Sequence, residues 1–197
     1  KGLESIGFKA DRIPDFNEVN AILSPHTGWG LTVVSNISPL PEFFRSLFEK
    51  KFTATTWLRK LSQLDYIEEP DMFHDVFGHV PLLVNTPYTS FFKGMAEIAL
   101  RHIDDEAFLE LLGRLYWFTI EFGLIREEGK LKIYGAGIIS SFGETNHCLN
   151  ENVEVIPFDI QTIINTPYRN DQIQNTYFVI DAYQQLYQSV GMIEDMI

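Results

Sequence analysis

The chain has 197 residues, of which 45% are hydrophobic, 14% aromatic and 21% charged. This composition is typical of a globular domain with a sizeable core, and it excludes collagen-like, low-complexity and disordered chains. The formal net charge of −12 argues against a nucleic-acid partner, because an acidic surface repels phosphate groups.

The single cysteine, Cys148, excludes an internal disulfide and favours a reducing compartment. No apolar run reaches the ~20 residues that a membrane-spanning helix needs, so we expect no membrane association. The first twelve residues lack the apolar core of a signal peptide. We therefore expect one domain over residues 1–197 in a cytoplasmic protein.

The hydrophobic pattern predicts a mainly α fold with a few short β-strands. In chain order, it predicts a helix over 13–23, an extended segment over 31–37 and a β-rich segment over 52–57. Between the last two, a helix beginning at Pro41 carries Phe44, Leu47 and Phe48 on one side. The second half of the chain is predicted to contain helices over 71–79, 88–103, 106–123 and 175–190, with a strand entering a glycine-rich turn over 131–139.

Two of the five histidines stand close together in Pro70-Asp-Met-Phe-His-Asp-Val-Phe-Gly-His-Val-Pro-Leu-Leu83. On an ideal α-helix, residues five apart point about 140° away from each other, wider than the i, i+4 pair of a zinc-protease helix. A helix that loosens at Gly78 would still bring His74 and His79 to one ion. The alternative is that both are hydrogen-bonded core or cap residues, and their spacing leaves both interpretations open.

Glu121 lies in the strongly apolar segment Leu115-Tyr-Trp-Phe-Thr-Ile-Glu-Phe-Gly-Leu124. Burial of an unpaired carboxylate is costly, so this side chain needs a metal ion or a basic partner. Two imidazoles and one carboxylate that leave coordination positions open suit a non-haem Fe(II) that must bind oxygen. A structural zinc would normally have four protein ligands.

Three long segments carry a resemblance to a known family. Residues 69–83 resemble the iron-binding signature of the pterin-dependent aromatic amino acid hydroxylases. Residues 116–124 resemble the family's carboxylate-ligand segment, and Tyr134-Gly-Ala-Gly-Ile-Ile-Ser-Ser-Phe-Gly-Glu144 resembles a third block. The similarity extends from about Ile13 to about Tyr187. It is greatest to the bacterial phenylalanine 4-monooxygenases, through Trp57-Leu-Arg59, Phe73-His-Asp75 and Thr166-Pro-Tyr-Arg169.

The resemblance implies a single catalytic domain of the aromatic amino acid hydroxylase type. It implies Fe(II) held by His74, His79 and Glu121, with tetrahydropterin as co-substrate and oxygen as oxidant. The expected reaction is ring hydroxylation of a free aromatic amino acid, with L-phenylalanine converted to L-tyrosine. Since the chain carries neither the regulatory domain nor the tetramer-forming helix of animal members, we expect a monomer or weak dimer.

Three alternatives remain open at this point. The first is hydroxylation of tyrosine or tryptophan by the same chemistry. The second is a catalytically silent relative that binds metal and amino acid. The third and weakest is a zinc-dependent hydrolase, which lacks a glutamate beside His74 and has Asp75 there instead.

The resemblance also implies residues that contact the substrate. Arg59 matches the residue that holds the substrate carboxylate, a role that suits the planar fork of a guanidinium. The alternative for Arg59 is an ion pair with an acidic residue. Trp117 and Phe122 match the aromatic walls of the ring pocket, or else pack in the core. The remaining implied residues of the substrate site are Tyr66, Gly137 and Ser140, the last matching a serine that hydrogen-bonds an iron-bound histidine.

Two further residues match positions close to the iron. Asp71 matches a carboxylate beside the metal ligands, with a helix N-cap as the alternative. Tyr116 matches a tyrosine near the iron, with packing as the alternative.

On the pterin side, Phe43 matches the ring that stacks on the cofactor and Asp75 a carboxylate that faces it. The loop at Ile37 reads Ser35-Asn36-Ile37 where the family usually has Pro-Gly-Leu, and an asparagine can adopt the left-handed backbone of that glycine. Asn170 is a second departure. Phenylalanine-specific members tend to have an aliphatic residue there and tyrosine hydroxylases an aspartate, so the substrate stays open.

Overall fold

The computed structural model describes residues 2–9 and 11–196, and helices dominate this part of the chain. The helices are α1 Gly2–Ser5, α2 Phe16–Thr27, α3 Leu40–Phe48, α4 Thr86–Arg101, α5 Glu106–Tyr116, α6 Ala136–Ile139, α7 Phe142–His147, α8 Ile160–Asn165 and α9 Tyr183–Met196. The strands are β1 Gly30–Val33, β2 Lys51–Ala54, β3 Gly123–Glu127, β4 Lys130–Ile133, β5 Glu154–Pro157 and β6 Thr176–Ile180. The predicted mainly α fold with few strands is confirmed.

The core is centred on α4, whose residues Phe91, Phe92, Met95 and Ala99 are completely buried. Helices α3 and α9 pack on it from two sides. Most of the surface of α4 is therefore apolar, and its charged residues Lys93 and Glu97 lie on the half-exposed side. None of the helices in the described residues combines the length and the apolar character that crossing a bilayer would require.

The strands form two small sheets. In the first, β1 and β2 run parallel, and the side chain of Asn20 on α2 exchanges two hydrogen bonds with the backbone of Leu31 in β1, of 2.6 and 3.0 Å. The second has the strand order β4-β3-β6-β5, in which β3 pairs with β4 antiparallel and with β6 parallel. Because β3 begins two residues after Glu121, this sheet fixes the end of the segment that carries the carboxylate.

Two π-helical turns interrupt the helical segments at the candidate metal ligands. The first is His74–His79, which is followed by a 3-10 turn at Val80–Leu82. The second, Trp117–Glu121, continues α5 and ends with a hydrogen bond of 2.9 Å from the Phe122 amide to the Trp117 carbonyl. Such turns are rare and are frequently found at functional sites.

Several predicted boundaries were wrong. The last helix was predicted over 175–190, but Thr176–Ile180 is strand β6 and the helix begins at Tyr183. This strand lies between β3 and β5 and is buried on both faces, so its apolar run lacks the alternation that marks a strand. Residues 131–139 were predicted as a strand that enters a glycine-rich turn; the strand is present as β4, whereas Ala136–Ile139 is helical.

Smaller differences concern the first half of the chain. Helix α2 continues beyond the predicted end at residue 23 and stops at Gly28, which adopts φ 73°. The extended segment predicted over 31–37 is a strand only as far as Val33. Phe48 does not share the buried side of α3 with Phe44 and Leu47, since 43% of its surface is exposed.

Candidate active site

The two histidines meet because the chain between them forms a π turn. Hydrogen bonds in a π-helix join residues five apart, so residues with this spacing lie above one another. The Nε2 atoms of His74 and His79 are 3.1 Å apart, and the two ring planes are inclined at 77°. The loosened helix that the sequence required for a shared ion is therefore present, although it spans the whole segment and not Gly78 alone.

Gly78 allows α6 to pack tightly against this turn. A Cβ atom on Gly78 would lie 2.8 Å from the Cβ of Ala136 and 3.1 Å from its Cα, closer than packed carbon atoms approach. The contact matters for the site because α6 leads directly to Ser140. The Ser140 hydroxyl lies 2.8 Å from Nδ1 of His74, and this contact orients the imidazole so that Nε2 faces His79.

Glu121 completes a group of three buried ligands. Its Oε1 lies 3.1 Å from Nε2 of His79, and its Oε2 lies 3.4 Å from Nε2 of His74. One ligand atom from each residue falls within 4.8 Å of the others. The second π turn directs the carboxylate away from α5 and towards the histidines.

The charges of this group support each other. Burial by itself would raise the pKa of Glu121, but the adjacent His79 and His74 outweigh it and hold that pKa well below the ordinary range. Burial would likewise lower the pKa of His74, and attraction by Glu121 reverses the direction. The carboxylate is therefore an anion at neutral pH, as a metal ligand must be.

The donor set fits a divalent transition metal ion. Two imidazole nitrogens and a carboxylate converge, and within the described residues this group has no fourth His, Cys, Asp or Glu. A site with three protein ligands leaves positions open for exchangeable ligands, unlike a closed structural zinc site. The arrangement is the one expected for non-haem Fe(II).

Asp71 supports the first π turn from a fully buried position. Its Oδ1 accepts the backbone N–H of His74 at 3.0 Å, so it also acts as the predicted cap. Its two oxygens accept three hydrogen bonds from Arg59: the backbone N–H at 2.8 Å, Nε at 3.0 Å and Nη2 at 2.7 Å. Burial tends to raise the pKa of Asp71, but these hydrogen bonds and the charge of Arg59 lower it overall.

Arg59 thus forms the ion pair that the sequence left open as its alternative role. Its Nη1 donates to the carbonyl oxygen of Ser140, which ties it to the segment that orients His74. These bonds use three of the five N–H groups of the guanidinium, so it retains donors for a further acceptor. Arg59 lies behind the cavity wall, and its binding of a substrate carboxylate stays a prediction.

A cavity of about 290 Å³ opens beside the three metal ligands. Its size and largely apolar lining suit a small organic molecule. It brings together twelve of the fourteen residues that were predicted for the site. They are Ile37, Phe43, Tyr66, His74, Asp75, His79, Tyr116, Trp117, Glu121, Phe122, Gly137 and Ser140. The other two, Arg59 and Asp71, lie directly behind this layer.

One end of the cavity is an aromatic pocket. The ring centroids of Trp117 and Phe122 are 4.5 Å apart. The ring of Tyr168 also stacks on Trp117, with centroids 4.4 Å apart. Gly137 has no side chain because a Cβ there would lie 2.8 Å from the ring of Phe122. Tyr66 reaches the same end, and its hydroxyl donates to the carbonyl oxygen of Asn170 at 2.9 Å.

The other end contains the residues predicted to face the pterin. Phe43 meets Tyr116 edge-on, with ring centroids 5.1 Å apart. Asp75 is buried, and its Oδ2 accepts the backbone N–H of Thr55 at 2.7 Å and the Thr55 hydroxyl at 3.0 Å. Burial raises the pKa of Asp75, although His74, Thr55 and His79 oppose the shift.

Ile37 lies at the mouth of the cavity and is 56% exposed. Its neighbour Asn36 also lines the mouth but does not adopt the left-handed backbone suggested by the sequence. Positive φ among the described non-glycine residues is confined to Lys50 and Glu128. The loop therefore follows a different path from one built on a left-handed glycine.

Three residues that support the site were not predicted from the sequence. Phe52 on β2 packs on the ring of His79, with centroids 4.4 Å apart, and Thr55 fixes Asp75. Tyr168 was noted only as part of a matching segment, although it forms a wall of the aromatic pocket. The available signal for Phe52 was the alternation of polar and apolar residues in Lys51–Ala54, which in a strand places Phe52 on the buried face.

Comparison with known proteins agrees with this geometry. The family model described as "Biopterin-dependent aromatic amino acid hydroxylase" matches residues 3–195. The phenylalanine-4-hydroxylase of Chromobacterium violaceum is 44% identical over 192 residues, which cover 97% of this chain and 64% of that protein. The phenylalanine-4-hydroxylase of Ralstonia nicotianae is 43% identical over 188 residues, which cover 95% of this chain and 60% of that protein. This chain thus spans less than two thirds of either relative.

A solved structure is similar throughout. The C. violaceum phenylalanine hydroxylase with bound iron(III) and oxidised 7,8-dihydrobiopterin superimposes with a TM-score of 0.91 at 43% identity. The match covers 97% of this chain and 70% of that one. The resemblance inferred from the three sequence segments is confirmed.

Proposed function

Because the chain belongs to the biopterin-dependent aromatic amino acid hydroxylase family, we propose that it is an iron- and tetrahydropterin-dependent monooxygenase. Its substrate is a free aromatic amino acid, and the reaction is the conversion of L-phenylalanine to L-tyrosine. The observation that carries this proposal is the placement of the three metal ligands between an aromatic pocket and the Phe43 side of one continuous cavity.

His74, His79 and Glu121 hold the iron in this proposal, and Ser140 keeps the ring of His74 in position. The iron and the tetrahydropterin, when bound, supply the electrons and the oxygen chemistry that no side chain provides. The remaining task of the protein is to orient the two organic molecules and to exclude water.

The aromatic pocket holds the ring of the substrate. Trp117 and Phe122 offer apolar faces to an unsubstituted phenyl ring, and Gly137 leaves room beside them. Arg59 binds the substrate carboxylate through the N–H groups that Asp71 and Ser140 do not use. Asp71 then serves two purposes, since it fixes the guanidinium and caps the turn that begins at His74.

The pterin lies at the opposite end, against the ring of Phe43 and near Asp75. Thr55 holds Asp75 through its backbone N–H and its hydroxyl, so the carboxyl group keeps one orientation. Tyr116 lies between this end and the metal ligands, where its ring faces His79 at a centroid distance of 6.4 Å and excludes water. Ile37 covers the mouth.

Turnover with reconstituted Fe(II), oxygen and tetrahydropterin tests the proposal, with phenylalanine, tyrosine and tryptophan offered separately and then in competition. We expect tyrosine to form from phenylalanine in an amount matching the pterin oxidised. Preferential consumption of tyrosine or tryptophan would replace the substrate but keep the chemistry. Binding of phenylalanine without product would instead identify a silent relative, and activity with zinc in place of iron would contradict the redox assignment.

A further inference from the structure

A series of linked hydrogen bonds lies behind the aromatic pocket and has no role in the function proposed above. Glu144 on α7 is fully buried, and its Oε1 accepts the backbone N–H of Gln174 at 2.7 Å. Its Oε2 accepts the hydroxyl of Tyr177 on β6, which is also fully buried. Within the described residues no cation lies at ion-pair distance from Glu144, so these donors are its stabilising partners.

Gln174 extends the chain to the pocket. Its Oε1 accepts the indole N–H of Trp117 at 3.2 Å. Its Nε2 donates to the carbonyl oxygens of Arg169 at 2.7 Å and Gln172 at 2.8 Å. One amide therefore holds a pocket wall with its oxygen and the 168–172 loop with its nitrogen, although Gln174 itself does not line the cavity.

The 168–172 loop also makes contacts on the cavity side. The hydroxyl of Tyr66 donates to the Asn170 carbonyl, and the ring of Tyr168 stacks on Trp117. The segment before Tyr66 is in turn bonded to α7, through the amides of Phe142 and Gly143 and the carbonyls of Leu64 and Asp65. The elements that carry Tyr66, Trp117 and Tyr168 are thus joined through Glu144 and Gln174.

We propose that Glu144 and Gln174 are positioning residues that set the width of the aromatic pocket and thereby determine which aromatic amino acid it accepts. This inference rests on the proposed function. Its physical basis is that a buried amide with all its groups bonded has one orientation, and removal of its partners leaves unpaired polar groups behind. Trp117 and the loop then lose the contact that fixes their separation.

The test compares Gln174→Met with Gln174→Glu. Methionine keeps the side-chain length and removes the bonds to both Trp117 and the loop. Glutamate keeps an acceptor for the Trp117 indole and removes the two donors to the loop carbonyls. Gln161→Met is the matched control, since that side chain is exposed on α8.

We expect Gln174→Met, which removes three hydrogen bonds, to raise the KM for phenylalanine about tenfold, a ratio that corresponds to about one net hydrogen bond transmitted to the substrate. The preference among phenylalanine, tyrosine and tryptophan should shift, while iron content and the KM for pterin stay within about twofold of wild type. Calorimetric binding of L-phenylalanine should weaken in parallel without turnover. Gln174→Glu should shift the preference as well, because it keeps the acceptor for the indole but places a carboxylate oxygen against the two loop carbonyls. Gln161→Met should change neither the affinity nor the preference.

A double-mutant cycle with Trp117→Phe shows whether Gln174 acts through the indole. We expect the two changes in phenylalanine affinity to be non-additive, because each removes the same bond. Tyr177→Phe is the milder variant if Gln174→Met does not fold, and we expect it to shift the preference in the same direction. A folded, iron-loaded Gln174→Met or Tyr177→Phe protein with wild-type preference and affinity would overturn the inference. A wild-type protein inactive on all three amino acids would instead contradict the proposed function.

Discussion

The Nε2 atoms of His74 and His79 lie 3.1 Å apart because a π turn, and not an α-helical one, separates the two residues. An α-helix would direct the two rings about 140° apart. Glu121 approaches the two histidines from the end of a second π turn. The histidine pair and the carboxylate are therefore each positioned by a π turn. Changes that restore regular helix in either turn should therefore act on metal binding.

The first prediction concerns the metal ligands. His74→Ala, His79→Ala or Glu121→Ala should each abolish turnover and lower the iron content after reconstitution, because the described group has no spare ligand. His26→Ala, at an exposed position on α2, is the control and should keep both. Metal analysis and single-turnover assays measure the effect. Normal iron content and activity in one of the ligand variants would remove that residue from the site.

The second prediction concerns packing against the first π turn. Gly78→Ala places a methyl group 2.8 Å from Ala136 Cβ, so we expect a loss of about 1–3 kcal/mol in the free energy of unfolding and weaker iron binding. Gly191→Ala is the control, because a Cβ on that α9 residue meets nothing within 4 Å. It should stabilise the protein by about 0.5–1 kcal/mol. Urea titration measures the free energy of unfolding of both variants. A Gly78→Ala protein as stable as wild type would show that α6 moves aside to accommodate the methyl group.

The third prediction concerns the guanidinium of Arg59. Arg59→Lys should raise the KM for the amino acid about tenfold to a hundredfold, since loss of a charge-assisted bond costs ~1.5–3 kcal/mol. The KM for pterin should change little. Arg101→Lys, in an exposed pair with Glu194, is the control and should change neither constant. If Arg59→Lys lowers the thermal stability but leaves the KM for the amino acid unchanged, Arg59 serves only in the ion pair with Asp71.

The fourth prediction concerns the ring that is hydroxylated. We expect wild type to prefer phenylalanine over tyrosine, because a phenolic hydroxyl without a partner in the pocket costs ~1–3 kcal/mol. Asn170 lines the cavity, and we expect it to permit more tyrosine turnover than an aliphatic residue would. Asn170→Ile should sharpen the preference in competition assays, whereas Asn150→Ile at an exposed position should not. An unchanged ratio of phenylalanine to tyrosine turnover would show that the Asn170 side chain does not contact the substrate ring.

The fifth prediction concerns Cys148, which is fully buried. Burial raises the pKa of its thiol from 9.0 to about 11, so the native thiolate fraction at pH 8 is about a hundredfold smaller than that of an ordinary cysteine. Iodoacetamide should label the native protein very slowly and the guanidinium-unfolded protein quickly. Since the folded pKa is the higher one, this group favours folding below pH 9 and loses that contribution as the pH rises through 11. Rapid native labelling would contradict the burial.

The candidate metal ligands could be predicted from sequence because three segments resemble the hydroxylase family. The carboxylate of Glu121 in an apolar segment needs a metal ion or a basic partner, whereas the spacing of His74 and His79 by itself left a packing role open. The π turns could not be predicted, since a π turn and an α-helix share the same hydrophobic spacing over five residues. Only the need to bring His74 and His79 together indicated the irregularity.

Strand β6 and the Gln174 chain were beyond sequence reasoning for a different physical reason. A buried parallel strand has apolar residues on both faces, so Thr176–Ile180 could not be distinguished from helix. The partners of Gln174 and Glu144 lie far from each other along the chain, and no local pattern links them. Long-range hydrogen bonds of this kind become visible only in three dimensions.

The parallel pairing of β3 with β6 has a consequence for the order in which the protein matures. Glu121 leaves the ribosome well before Thr176–Ile180, yet the strand that follows it is held by that later segment. Pairing between strands so distant in sequence forms late in folding. We therefore expect the carboxylate of Glu121 to reach its final place only after β6 has paired with β3.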